Sequence, residues 1–482
     1  MLIGVGLVLG LMLWARVHAF LALLVAALAV TLLSGQGVAA LLESFGRTAG
    51  AVGVVIALAA VIGQCLLLSG AADRIVGANV RLLGERRAAA GLMAGGYVLA
   101  VPVFFDTVFY LLIPLARKLH RRTGLGYGLC LMALAGGAAA THALVPPTPG
   151  PLLVAATLGV SVGQALAVGV AVSVPACVIS YAFAKRLDRW TPLVMTLTEA
   201  ERAEAEPAEA ARTRAGGVAD GSDASRPTNP AAAAVASLGT GAAESPASPA
   251  LRRPLGLSAS LLPIVLPIVL IGAEEVRKAL AGTGDATKGV LAQALPILGA
   301  PAVALGIATA ASILLLVRSG GLGARKLSGV IEESLMSAGV IILITAAGGS
   351  FGAALKGTGI AEVIAATVDL GAAQAQLLLL GAFALASVLK VAQGSSTVAM
   401  IVASGMLVAA VDVSALTIAP AFLSLAVCSG SLVGSWMNDS GFWIFSKMGG
   451  LTERETLRTW TPMFGMVGAV AFAMTLLLSV VF

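Results

Sequence analysis

The sequence predicts an all-α polytopic membrane protein of about ten to fourteen transmembrane elements, and three observations carry that prediction. Hydrophobic residues make up 58% and charged residues 11% of the 482 positions, whereas an ordinary soluble domain has about 25% charged residues. Apolar stretches recur from end to end, and a helix needs roughly 20 such residues to cross the hydrocarbon layer. The basic residues sit in short connectors, such as the one holding Arg117, Lys118, Arg121 and Arg122, as the positive-inside rule expects of cytoplasmic loops. The net charge of +6 therefore marks topology and not a nucleic-acid face.

In order, the candidate spans lie near residues 1–15, 18–34, 50–69, 91–115, 124–140, 152–184, 257–272, 290–317, 335–350, 374–391, 395–411, 414–434 and 461–482. The first follows Met1 with no basic n-region and no clear small-residue cleavage site, so it is expected to stay on the chain. The connectors around Arg74 to Arg87, Arg117 to Arg122, Lys185 to Arg189 and Arg318 to Lys326 should face the cytoplasm. An even number of crossings must then separate them, yet 91–115 reads as one long span between two basic clusters. Pro102 and Pro114 bracket Asp106 in that span, so the expectation is a broken or re-entrant helix. Cys65, Cys130, Cys177 and Cys428 lie inside apolar spans without paired spacing and read as buried thiols, not as a metal site or disulfide framework.

Residues 191–256 differ from everything around them. They are rich in Ala, Glu, Pro, Ser and Thr and contain no apolar run of span length, a composition that cannot offset ordering entropy. The expected organisation is an N-terminal membrane repeat (1–190), a flexible cytoplasmic linker (191–256) and a C-terminal membrane repeat (257–482). Each half carries a polar, Gly/Pro-broken patch late in its apolar stretch, the pattern that marks the solute site in transporters built from two inverted repeats.

Four motifs hold polar groups at membrane depth. In FFDTVFYLLIPL (104–115), Asp106 stands alone among aromatic and aliphatic residues; such an acid serves an ion or proton path or ties two helices together. In THALVPPTPGP (141–151), prolines and a glycine forbid a continuous helix, which suits a re-entrant tip or a loop. His142, beside Thr141 and Thr148, titrates near physiological pH when unperturbed. In QGSSTVAMIVASG (393–405), the run Ser395, Ser396 and Thr397 opens an apolar helix, where hydroxyls and free N–H groups cap the helix or hold an anion. Lys390, one turn earlier, would pair with a solute carboxylate or snorkel to the interface. In GSWMNDSGFWIFS (434–446), Asn438, Asp439, Ser440 and Gly441 interrupt apolar neighbours, while Trp436 and Trp443 also suit an interfacial belt. The LTERETLRTW tail (451–460) has a capping-box pattern at Thr452 and Glu455 and reads as a short interfacial helix. No Walker or HExxH pattern is present, so neither an enzyme nor an ATP-driven pump is expected, and no cofactor or metal.

In this order and spacing the four motifs and the tail resemble the gluconate permease family, GntP-type proton symporters of the ion transporter superfamily. The resemblance implies uptake of a sugar acid such as gluconate, or of a related small carboxylate including D-serine, coupled to protons across a bacterial inner membrane. It also implies a homodimer, and scaffold and transport domains moving as an elevator, with hairpin tips at 141–151 and 394–397. Substrate contacts are thus expected at Thr141, His142, Thr148, Gly394, Ser395, Ser396, Thr397, Asn438 and Asp439, and proton coupling at Asp106 and His142. Three positions depart from many gluconate-type members: Asp106 stands where they carry Glu, Thr148 where they carry a second His, and Trp436 where some carry His. Sodium coupling, a passive channel and, more distantly, an intramembrane enzyme are the rival readings.

Overall fold

The computed structural model describes residues 2–15, 17–195, 255–281, 290–320, 324–358, 372–411, 413, 416 and 418–481. Nearly all of the linker lies outside them, and with it the expectation of disorder. By its internal contacts the chain divides into a unit of residues 1–194 with 251–482 and a unit of residues 195–250; the following concerns the first. All regular structure among the described residues is helical.

The first half begins with α1 (Leu2–Leu9), α2 (Ala19–Leu33), the long α3 (Val38–Leu68) and the amphipathic α4 (Ala71–Leu83). A pair follows, α5 (Ala88–Leu99) and α6 (Phe105–Thr123), and then α7 (Tyr127–Leu144), α8 (Pro149–Thr157) and α9 (Val162–Trp190). The second half comprises α10 (Leu257–Ala281), α11 (Val290–Leu298), α12 (Pro301–Gly320) and α13 (Ala324–Lys356). It continues with α14 (Ala372–Gln393), α15 (Ser396–Ala410), α16 (Pro420–Gly430), α17 (Ser440–Gly449) and α18 (Glu453–Val481). Among the described residues eight stretches are long and apolar enough to cross a membrane, and α2, α15 and α16 are shorter apolar helices. Those eleven fall within the expected range.

Several boundaries differ from the sequence reading. The span placed at 152–184 is two helices, because Gly159 takes a left-handed φ of +71° and Ser161 caps a new start by accepting the Gln164 N–H. The LTERETLRTW tail is not a separate interfacial helix. Its capping box forms, with Glu455 N–H donating to Thr452 Oγ1 at 3.3 Å and Thr452 N–H to Glu455 Oε2 at 2.8 Å, but it opens the 29-residue α18.

The parity conflict around Asp106 resolves in the α5–α6 pair. The helix stops at Leu99 and restarts at Phe105, with Pro102 in the gap, while Pro114 is accommodated inside α6. Glu85, before α5, and Arg122, at the end of α6, are ion-paired at 2.5 Å, so the chain returns to the side it left. The hairpin apex is therefore 100–104. The expected tip at 141–151 is instead an interruption, at 145–148, within the apolar stretch Tyr127–Thr157.

One order of elements occurs twice: long helix, helix pair, interrupted helix, long helix. It runs α3, α5–α6, α7–α8, α9 and again α13, α14–α15, α16–α17, α18. The long members match in size, 31 and 33 residues for α3 and α13, and 29 each for α9 and α18. Helix α3 packs along α13, and α2 and α12 join them; α5 and α6 pack on α7, α7 and α18 on α9, and α14 and α16 on each other. Small residues permit the tightest of these contacts. A Cβ on Gly137 would stand 2.2 Å from the Met93 carbonyl oxygen, and one on Gly96 2.9 Å from that of Leu134. Every residue of α7 is buried except His142, the feature that leads to the site.

Candidate functional site

Four helices begin around one cavity of about 300 Å³. Each start follows from a local break. Phe104 is extended, with φ −63° and ψ 145°, which places Asp106 as the second residue of α6, where a carboxylate meets the positive end of the helix dipole. Phe105 is held by Trp460 and Phe464, with ring centroids 5.6 and 5.9 Å away. At α8, Thr148 donates its hydroxyl to the Val145 carbonyl at 2.7 Å. Because Pro149 and Pro151 have no N–H, Gly150 offers the only amide proton among the first three residues of that helix.

Gly394 turns the chain into α15 with φ +84°, and Ser395 then caps it, accepting the Val398 N–H at 3.3 Å. Capping at the third residue leaves the N–H groups of Ser396 and Thr397 without intrahelical partners. The Ser396 hydroxyl is engaged with the Ser431 carbonyl at 2.8 Å. Asp439 caps α17, accepting the Gly441 N–H at 3.0 Å. Gly150 packs against α15, since a Cβ there would lie 2.5 Å from Met400 Cε and 3.8 Å from Thr397 Cα. The starts of α8 and α15 are thus adjacent.

Asp106, His142, Ser395, Ser396, Thr397 and Asp439 all line the cavity, so sequence positions more than 300 residues apart meet there. Phe104, Phe105, Trp460 and Phe464 give it an aromatic wall, and Ser337 and Ile341 of α13 close another side. The His142 ring is edge-on to Phe104 at 6.3 Å, and its Nδ1 is buried without a hydrogen-bond partner among the described residues. A neighbouring cavity of about 180 Å³ shares Phe104, Thr107 and Ser337 with the first and adds Gln64, Ser334 and Glu333. Gly63 lets the hairpin apex rest on α3 beside it, since a Cβ there would be 3.3 Å from Val103 Cγ2.

Four expected contacts lie outside the lining of the main cavity, each with a physical reason. Thr141 is fully buried and donates to the Tyr97 carbonyl at 2.9 Å, tying α7 to α5. Thr148 is spent on its own turn. Gly394 is backbone support, and Asn438 donates to the Val391 carbonyl at 2.7 Å. Trp436 donates to the same oxygen at 3.0 Å. Lys390 is fully buried and does not snorkel; it pairs with Asp439 at 2.6 Å.

Sequence reasoning missed Ser435, Trp460 and Ser337. Trp460 carried a usable signal, because a buried indole N–H requires an acceptor, and it finds Ser435 Oγ at 2.7 Å. Ser337 carried none, being one serine in an apolar helix. As chemistry, the arrangement presents helix N-termini, hydroxyls and two carboxylates to a small polar solute, a setting that favours anions at the amide ends.

Comparison with known proteins identifies the family. The GntP family permease model matches residues 1–215 and 241–481, leaving out only linker positions inside the chain. The chain is 32% identical to the inner membrane permease YgbN of Escherichia coli K12, over 98% of this chain and 96% of that one. It is 31% identical to the low-affinity gluconate transporter of the same organism, over 97% and 95%. In fold it is similar to the YdaH transporter of Alcanivorax borkumensis, with a TM-score of 0.54 at 15% identity over 91% and 86% of the two chains. Eight apolar spans among the described residues and an inner membrane permease among the relatives place it in a bacterial inner membrane, crossing many times. The chain belongs to the GntP family of permeases.

Proposed function

We propose that the chain imports a gluconate-like hydroxy-carboxylate by proton symport. The observation that carries this reading is the convergence of four helix starts on one cavity in which two, those of α6 and α17, already hold a carboxylate of the chain. The starts of α8 and α15 then face the solute carboxylate, with the amides of Gly150, Ser396 and Thr397 and the Thr397 hydroxyl as donors. Serine side chains and the aromatic wall suit the hydroxylated carbons of a sugar acid. The gluconate transporter among the relatives supports that substrate class.

Charge explains the coupling. Asp106 lines the cavity without an ion pair among the described residues, so an entering anion meets a second negative charge in a poorly solvated space. Like charges there cannot both persist, and a proton on Asp106, with His142 beside it, removes the conflict. The repeated order of elements supports two inverted repeats. In this reading α2, α3, α12 and α13 form a scaffold, α5–α9 with α14–α18 move against it as an elevator, and two copies assemble as a dimer.

The test is uptake of radiolabelled gluconate into proteoliposomes under an imposed inward proton gradient. Accumulation that a protonophore abolishes and that persists when choline replaces sodium supports the reading. Sodium-dependent accumulation, or mere equilibration, refutes proton symport; unlabelled L-idonate and D-serine as competitors rank the substrate.

A further inference from the structure

Behind the cavity wall lies an ion pair whose two members differ in access. Asp439 lines the cavity, whereas Lys390, in the last turn of α14, does not. The Lys390 side chain is 1% exposed and that of Asp439 12%, at 2.6 Å. Lys390 Nζ also donates to the Gly394 carbonyl. The remaining bonds to the carboxylate all come from the protein. Ser435 Oγ donates to Oδ2 and is itself held by Trp460 Nε1, and the Gly441 N–H donates to Oδ1. A solute can reach the ammonium only by displacing a carboxylate that three groups hold, Lys390, Ser435 and the Gly441 N–H. The other ionisable groups that line the cavity with Asp439 are Asp106 and His142.

We propose that Lys390 is a positioning residue that acts on the solute only through Asp439: it cancels that carboxylate's charge and leaves Asp106 as the single unbalanced charge an incoming anion meets. This rests on the anion-plus-proton reading above and says why one proton suffices. It also assigns Asp439 to capping α17 and anchoring the α14–α15 turn, in place of the expected contact with solute hydroxyls. Removing one member of a buried pair leaves an uncompensated charge, whereas removing both with neutral side chains of similar shape is tolerated.

Three variants test it: Lys390→Met, Asp439→Asn and the double variant, Asn being chosen because it still caps a helix. Lys390→Met exposes a second negative charge to the anion and should raise the KM for gluconate about tenfold or more, and the double variant should regain most of that loss. Asp439→Asn frees the ammonium for the solute, so gluconate uptake should lose most of its dependence on the proton gradient, a change that a merely structural role would not produce. A double variant as defective as Lys390→Met, or a Lys390→Met protein with wild-type KM, overturns the proposal. Melting temperatures of the purified proteins, read without solute, separate this from failure of the gluconate assignment. Both single variants should melt several degrees lower and the double variant should recover; equal, additive losses overturn the pairing whatever the substrate is.

Discussion

At the scale of single residues, the site is built from groups whose partners have been withheld or fixed. Asp106 has a helix N-terminus in place of a cation among the described residues, and the proposed symport assigns the coupled proton to it. Asp106→Asn is therefore expected to abolish uphill accumulation of gluconate while solute exchange between equal pools continues; comparing gradient-driven uptake with counterflow in the same vesicles checks this, and unchanged accumulation would remove Asp106 from the proton path. Gly394 is the opposite kind of residue, silent chemically but conformationally required. At φ +84° a Cβ would sit 2.0 Å from the Asn438 carbonyl oxygen, so Gly394→Ala meets both left-handed strain of about 1–3 kcal/mol and a clash that displaces the start of α15. Loss of high-affinity uptake with a lower melting temperature is the expected result.

At the scale of elements, the α5–α6 hairpin and the interrupted α7–α8 helix owe their placement to close backbone contact more than to side-chain interlock. The contact of Gly137 with the Met93 carbonyl leaves no room for a β-branched side chain. Gly137→Val should cost about 1–3 kcal/mol or more through overpacking, and by moving α7 away from α5 it should also disturb Asp106 and His142. Thermal melting in detergent and gluconate KM are both expected to change; a wild-type melting profile would show that the interface yields easily. Arg117 adds a second tie at the far end, since its guanidinium donates to Tyr127 Oη at 3.3 Å and to the Met448 carbonyl at 3.4 Å. That places α17 against α6 and α7 where the last carbonyls of a helix favour a cation.

At the scale of the whole molecule, the two halves compose one unit and the linker differs from them in composition. Residues 216–240 fall outside the matched segments. Deleting them should leave the initial rate of gluconate uptake per folded protein within about twofold, because connection length enters loop-closure entropy only logarithmically. A collapse of the rate would show that these residues serve transport directly.

Membrane class, the number of elements and the interrupted motifs were legible in the sequence because they depend on local quantities: apolar length, proline and glycine positions, and isolated charges. The legible part of the candidate site, the cavity-lining Asp106, His142, Ser395 to Thr397 and Asp439, is the part where polar groups stand out at membrane depth. Long-range pairing was not legible. Nothing local shows that Glu85 closes on Arg122, which puts the hairpin apex at 100–104 and not at 141–151, or that Thr141 turns to a carbonyl of α5 and away from the solute. Lys390 shows the division most clearly. Its charge in an apolar helix demanded a partner, and only the tertiary structure decided that the partner is Asp439, because side chains 49 residues apart meet by packing and not by any periodicity of the chain.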